Sequence, residues 1–530
     1  MGFKSNMKIF YFWFLLVIWI LSGCQSGKKI IDEYGTKTPF ISKINIRSNL
    51  EFLASDELEG RETGTRGARV AARFLSSRLQ EYGVMPFHER GYFQEFLLQG
   101  ISIDKNSGLA LLSEDGRILE EFVYDRDFVG YSKYAVEMDT TLELLFVGYG
   151  ITAMDYDYDD YSSIDAQGKI VLIQYGEPGG EDQNFFEGKE ESPYATTLNK
   201  IMTAKNHGAV AAIITSKREK EYGWDNIKAY MNKKILKLPG SGQNKSGNDF
   251  PVLIINENTM RQILKHGEYS FSQLQSYFKD GEELPKFKFK SPINISLKIC
   301  REDSITARNV IGKSVGMDSV LKHEYVVLSA HYDHIGYSHA GVFNGADDNA
   351  SGTTAVLEIA KVLAFIKQNK RSMLFIFHTG EEKGLLGSKY MTENSNLMDS
   401  IIACINLDMV GRGQADSIYA IGSDRMSIKF HDLVDVVDKE SMNLHISYKL
   451  NGADEPERLY YRSDQYSYAK KNIPVVFFFD NDMEDYHKTS DDADKINYHK
   501  IAQVAELVCH LALRVANVDK RFEKDELVSR

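Results

Sequence analysis

The sequence predicts an α/β fold: a three-layer arrangement in which a mixed, mostly parallel sheet carries helices on both faces, interrupted by a second, β-rich unit. Three observations carry that reading. Wholly apolar runs of strand length alternate with segments of helical period. Polar, chemistry-bearing residues cluster just past the ends of those runs, and the pattern breaks off and resumes around a middle region of different character.

Along the chain, Lys4 and Lys8 precede an unbroken apolar stretch from Ile9 to Leu21, followed by Ser22, Gly23 and Cys24. Such a stretch reads as a secretory signal over residues 1–24, too short for an ordinary membrane span. Leu21-Ser22-Gly23-Cys24 resembles a bacterial lipobox, which implies cleavage before Cys24, a lipid on that residue and attachment to the bacterial cell envelope. A plain cleaved signal with an incidental cysteine is the alternative. Residues 25–40 then form a polar tether.

Ala71, Phe74, Leu75 and Leu79 recur at helical spacing and predict an early helix. From about Thr141 the character changes. Leu142 to Val147 and Lys169 to Gln174 read as strands, and Lys200 to Lys205 leads through Gly208 into Ala209 to Ile214 as a helix-to-strand step does. Between them, the acidic run Asp155 to Asp160 lacks the spaced ligands of a calcium loop and reads as a solvated loop. The lysine- and glycine-bearing stretch from Lys217 to Asn248 reads as exposed loop or loosely structured insertion. Asn309 to Gly312 marks the return, so residues 111–290 are expected as an inserted domain and residues 41–110 with 291–530 as the domain around it.

In that outer domain Tyr325 to Ala330, Ser372 to Phe377, Ile401 to Leu407 and Val475 to Phe479 have the length and composition of buried strands. Val356, Ile359, Ala360 and Leu363 mark one helix between them, and Phe430, Leu433, Val434 and Val437 another. A last helix is carried by Ile501, Val504, Ala505 and Val508. In an open α/β sheet reactive groups gather beyond the carboxyl ends of the strands, where His331, Glu381, Glu382 and Asp408 fall. His487 arrives similarly, after an acidic loop.

At 530 residues the chain exceeds one ordinary core, and its formal charge of −12 argues against a nucleic-acid partner. Cys300, Cys404 and Cys509 offer no disulfide framework, and the last two read as small buried hydrophobes. Imidazole and carboxylate donors suit zinc, and one carboxylate can bridge two ions. The turn Gly345 to Gly352 can present such a bridge, with Asp347 and Asp348 both available. The adjacent Glu381 and Glu382 side chains diverge, so one can bind metal while the other faces a substrate water. His334 and His339 read as loop residues and His378 as a packed histidine.

The blocks AHYDHIG, GADDNASG, HTGEEKGLLGS, NLDMVGR and DYHKTSDD, in this order, resemble the zinc exopeptidase family M28. ASDELEGRETGT and YRSDQYSYAKKNIPVVFF extend the likeness, while LFVGYGI, DDY, GKIVLI and GAVAAII resemble a protease-associated (PA) domain. The resemblance implies two zinc ions per chain: one on His331 and Asp408, one on Glu382 and His487, with Asp348 bridging and Glu381 as general base. It further implies that Asp333 orients the His331 imidazole, that Asp348-Asn349 is a cis peptide, and that Tyr486 and Arg462 contact the substrate, Tyr486 at the oxyanion. The implied activity is that of an exported aminopeptidase acting on peptides with a free N-terminus. Asp480, Asp482, Glu484 and Asp485 either attract the cationic amine or form a solvated loop. The alternatives are a carboxypeptidase or dipeptidase of glutamate-carboxypeptidase type, which needs an arginine cluster, and a non-catalytic binding protein on the same scaffold. A single-zinc glutaminyl cyclase fits less well, because the full co-catalytic set is present.

Overall fold

The computed structural model describes residues 41–179, 185–188, 191–216, 219, 223–240, 250–280, 283–338, 340–452, 455 and 457–525. Cys24, the apolar leader, the tether and His339 lie outside the described residues. The chain forms two units, one containing residues 41–94 and 308–525, the other residues 95–307. It crosses between them at 94/95 and 307/308 rather than at 110/111 and 290/291. The reason is a pairing: Gly108–Leu112 lies antiparallel to Ile293–Leu297 in a four-stranded sheet of the second unit.

The first unit is built on strands β1 (Ile299–Ser314), β2 (Tyr325–His331), β3 (Ser372–His378), β4 (Ile401–Leu407), β5 (Ser417–Ile421) and β6 (Val475–Phe479). Across the sheet they run β1-β3-β2-β4-β6-β5. The central four are mutually parallel, β1 is antiparallel to β3 and β5 antiparallel to β6. Alternate residues of β2 enter different cores because side chains on a strand point to opposite faces. Val326, Leu328 and Ala330 join one core, Val327 the other.

The helices are α1 (Lys43–Leu53), α2 (Arg66–Glu81), α3 (Gly352–Ile366), α4 (Leu386–Glu393), α5 (Ile428–Glu440) and α6 (Tyr498–Asn517). Leu50, Leu75, Ile359, Val434 and Val508 bring α1, α2, α3, α5 and α6 into the first core, whereas Met391 of α4 packs in the second. Helices therefore cover both faces of a mixed, mostly parallel sheet. The start of α3 is fixed by a close approach: a Cβ on Gly352 would sit 2.3 Å from the Leu407 carbonyl oxygen. That contact holds the turn carrying Asp348 against the end of β4, where Asp408 follows.

The second unit is β-rich. Leu144–Phe146, Ile170–Ile173, Ala211–Thr215 and Val252–Ile255 run parallel, with Phe128–Gly130 and Phe287–Lys288 antiparallel at the edges. Two expectations need correction here. The stretch after Lys217 contains a helix, Trp224–Met231, and a strand, Ile235–Lys237, because Ile227 and Met231 bury against the unit's core. The acidic run is not wholly solvated either. Asp160 is buried, accepts hydrogen bonds from Ile151 N and Tyr158 Oη, and pairs with Lys286.

Candidate metal centre and cleft

The structure brings His331, Asp348, Glu381, Glu382, Asp408 and His487 together at the carboxyl ends of β2, β3, β4 and β6. Their ligand atoms fall into two sets. His331, Asp348 and Asp408 offer atoms all within 4.8 Å of one another, and so do His334, Asp348 and Glu382. Asp348 is common to both. Asp347 points elsewhere, its Oδ1 accepting from Gly411 N at 2.8 Å. The Asp348-Asn349 peptide is cis.

The donor chemistry fits metal cations. His331 Nδ1 lies 3.1 Å from the Asp333 carbonyl oxygen and donates to it, which turns Nε2 toward Asp408 Oδ1 at 3.1 Å and Asp348 Oδ1 at 3.4 Å. A bare imidazole lone pair would there face carboxylate lone pairs, so a proton or a metal must lie between them. In the other set, His487 Nε2 lies 3.1 Å from Glu382 Oε2 and 3.3 Å from Asp348 Oδ2, buried and without hydrogen-bond geometry. Burial disfavours the cationic form of His331, yet Asp408 and Glu381 hold its pKa well above the ordinary range. His487 behaves alike: against burial, Asp348 and Glu382 push it up to about 10. Both rings sit where a positive charge is wanted.

The two adjacent glutamates are driven apart. Burial, reinforced by the charges of Glu382 and Asp408, lifts the Glu381 carboxyl well above the carboxylate range despite His331. Glu382 is just as buried, but its hydrogen bond with His334 and the nearby His487 ring hold it well below. One carboxyl is thus poised to carry a proton and the other to stay an anion.

Several residues differ from their expected places. Asp333 supports His331 through its main-chain carbonyl; its carboxylate accepts from Thr63 Oγ1 at 2.7 Å and from Glu381 N at 3.3 Å, because Thr63 and the β3 turn fill the space beside it. His334 is not a bystander in a loop: fully buried, its Nδ1 lies 2.8 Å from Glu382 Oε1. The acidic loop is engaged internally. Asp480 accepts from Arg412 N, and Asp485 from Arg412, Ser490 and Lys495. His378 is packed as expected, 3.2 Å from Tyr468 Oη, and Cys404 and Cys509 are buried.

Arg61, in the EGRETGT segment, was noticed in the sequence only as part of a motif. Buried completely, it donates from Nε to Tyr332 O (2.9 Å), from Nη2 to Gly345 O (2.9 Å), and from Nη1 to Asn344 O (2.6 Å) and Leu53 O. It thereby ties the end of α1 to the segments bearing His331 and Asp348. Burial lowers its pKa to about 10, so it stays a cation beside the carboxylates.

Over the donors opens a cleft of about 400 Å³. Met409, Leu459, Phe477, Phe479 and Met483 form an apolar wall, with Arg462, Ser463 and Tyr486 on the polar side. Tyr486 stacks on His487, ring centroids 3.9 Å apart, and its hydroxyl faces Arg462 Nη2 at 3.5 Å. Burial first, then the charges of Asp348 and Glu382, raise its pKa and keep it an O–H donor. Arg458 lies over the Tyr461 ring instead of in the cleft, so among the described residues Arg462 is the one arginine lining it.

A parallel-sheet α/β unit with a histidine and carboxylate cage at the strand ends defines a candidate metal-binding α/β protein. Residues 309–512 match the profile of "Peptidase family M28" and residues 140–263 that of "PA domain". The chain therefore carries an M28 peptidase domain together with a PA domain. It is similar to aminopeptidase YwaD of Bacillus subtilis (strain 168), 26% identical over 390 residues covering 70% of this chain and 69% of that protein. A probable zinc metalloprotease of Pyrenophora tritici-repentis is 36% identical over 96 residues, 17% of this chain and 22% of that protein. Among solved structures, an aminopeptidase from Aneurinibacillus sp. strain AM-1 superposes with a TM-score of 0.52 at 21% identity, over 92% of this chain and 96% of that one. That likeness shows the fold.

Proposed function

We propose that the protein is an exported zinc aminopeptidase that hydrolyses the N-terminal peptide bond of peptides beginning with an apolar residue. The observation that carries this reading is the pair of donor sets sharing Asp348, with Glu381 held apart as a proton-carrying carboxyl. His331 and Asp408 would hold one zinc, Glu382 and His487 the other, with Asp348 between them. When bound, the ions supply Lewis-acid activation of a water and polarisation of the scissile carbonyl.

The remaining steps belong to side chains. Glu381 takes the proton of the attacking water on a carboxylate oxygen and passes it to the leaving amine. Tyr486 donates its O–H to the developing oxyanion, with Arg462 beside it as a fixed positive charge. The apolar wall receives the first side chain of the substrate and excludes water from it. A carboxypeptidase reading lacks the arginine cluster it needs, since Arg462 stands alone in the cleft among the described residues. Export and a lipid on Cys24 are supported by the leader sequence.

Paired peptides with free and acetylated N-termini test the reaction, assayed with and without a chelator. Cleavage confined to the free peptide and abolished by chelation is expected. Equal cleavage of the blocked peptide would remove the aminopeptidase reading.

A further inference from the structure

The end of the first unit's sheet opposite the metal centre carries its own signature. The four most exposed large apolar side chains of that unit are Phe365 (85%), Ile44 (80%), Val320 (73%) and Met317 (69%). Phe365, Val320 and Met317 lie at the basal end. Phe365 is in the last turn of α3, whose first residue abuts the end of β4 at the cleft. Met317 and Val320 precede β2, and Met317 N donates to Asn369 O just beyond α3 at 2.8 Å. Ile44 is the second residue of α1. That helix ends at Leu53, whose carbonyl accepts from Arg61 near the metal centre, while the main-chain N of its cap, Ser42, donates to Glu358 midway along α3.

Single exposed apolar residues are ordinary; their collection at one end of a unit is not. The charge there is also unlike the rest of the chain. Lys322, Lys367, Lys470, Lys471 and Lys520 lie near the starts of the central strands and carry no ion pair among the described residues. Of the nearby anions, Glu324 pairs with Arg371 and Arg521 and Asp519 with Lys370, while Asp318 accepts from Val320 N and Leu321 N and Asp399 stands exposed before β4. A chain of net charge −12 thus presents, at this end, more basic than acidic side chains around exposed apolar ones.

We propose that this basal end docks on an anionic lipid bilayer, with Phe365, Val320 and Met317 at the acyl boundary and the lysines among the headgroups. The candidate active site then opens away from the membrane, toward peptides in the aqueous phase. The orientation rests on the lipid-anchored reading of Cys24. Sixteen residues lie between Cys24 and Ile41, a reach of at most about 60 Å when fully extended. That is little more than the roughly 50 Å breadth of a unit of this size, so a lipid on Cys24 holds the unit close against the bilayer.

The full chain, expressed in an exporting bacterium and reconstituted into phosphatidylglycerol–phosphatidylethanolamine vesicles, tests this. With the Cys24 sulfur held as a thioether in the acylated chain and Cys300 replaced by Ser, the buried Cys404 and Cys509 leave an introduced cysteine as the reactive thiol. A nitrobenzoxadiazole probe is placed by Phe365→Cys at the base or by Tyr337→Cys at the far end. Spin-labelled lipids are expected to quench the probe at 365 several-fold more than at 337. Equal or absent quenching at both positions, on a chain whose Cys24 is acylated by mass spectrometry, overturns the docking. If Cys24 carries no lipid, the anchor reading fails on its own, and docking is read by sedimentation with the same vesicles and with phosphatidylcholine vesicles. Retention on the anionic vesicles alone, lost on combined Met317→Ser, Val320→Ser and Phe365→Ser substitution, supports the surface. No retention overturns it.

Discussion

Two neighbouring glutamates with the same burial and opposite proton affinities show how much of the chemistry is set one residue at a time. Glu382 receives His334 and His487; Glu381 meets only the like charges of its neighbours and a shared His331. Glu381→Gln keeps the shape and removes the proton carrier. It should lower kcat by about 10²- to 10⁴-fold, the span a positioned base supplies, while bound zinc measured by elemental analysis is unchanged. Loss of zinc in that variant would make Glu381 a ligand. His334→Ala removes the partner of Glu382 and should weaken zinc roughly 10- to 100-fold in a competition titration with a chromophoric chelator. Unchanged affinity would return His334 to a packing role. The other site residues were legible because they lie at or beyond the ends of apolar runs, in blocks whose resemblance to a known family assigns each a role. His334 stands in one of those blocks without an assigned role, and spacing alone does not say which way a loop side chain turns. Arg61 was hidden for another reason: its partners are main-chain carbonyls, which leave no mark in a sequence.

At the scale of elements, the strands and helices of the peptidase unit could be read because buried strands are continuous apolar runs and helices keep a 3.6-residue period. The unit boundary was misplaced because Gly108–Leu112 and Ile293–Leu297 pair across nearly two hundred residues, and pairing over that separation has no local signal. A helix of the second unit, Thr197–Asn206, supplies a test of a buried charge. Lys200 is fully buried there, and its Nζ donates to Tyr149 O and Gly176 O at 2.6 Å each. A neutral amine has two N–H donors, enough for both carbonyls. Burial lowers its pKa from 10.5 to about 7. Between those values the unfolded state binds more protons than the folded one, so this residue makes stability rise with pH across that window, and as pH falls the loss begins near 10.5 and is complete at about 7. The slope is of the order of 1.4 kcal/mol per pH unit. Urea midpoints from pH 7 to 10 should rise in the wild type and flatten in Lys200→Met, whose overall stability drops because two carbonyls lose their donor. Parallel slopes in the two proteins would show Lys200 to be charged throughout.

For the whole molecule, the division of labour between the units makes a calorimetric statement. Every donor of the metal centre lies in the unit of residues 41–94 and 308–525, and the residue 95–307 unit has a separate hydrophobic core. A ligand that binds only the folded state stabilises by RT ln(1 + [L]/Kd), about 4 kcal/mol when the free concentration is a thousandfold above Kd. For a unit of this size that is a shift on the order of 10 °C. Without cations, the buried carboxylates around Asp348 must be protonated or repel one another, which deepens the loss. Chelation should therefore lower one of two unfolding transitions by about that amount and leave the other in place. Full return of the first transition on adding zinc, with no change in the second, would tie the stabilisation to the cage at the strand ends. A chelator that lowers both transitions equally would mean that the two units unfold together, and that the metal centre stabilises the PA domain as well as the peptidase domain.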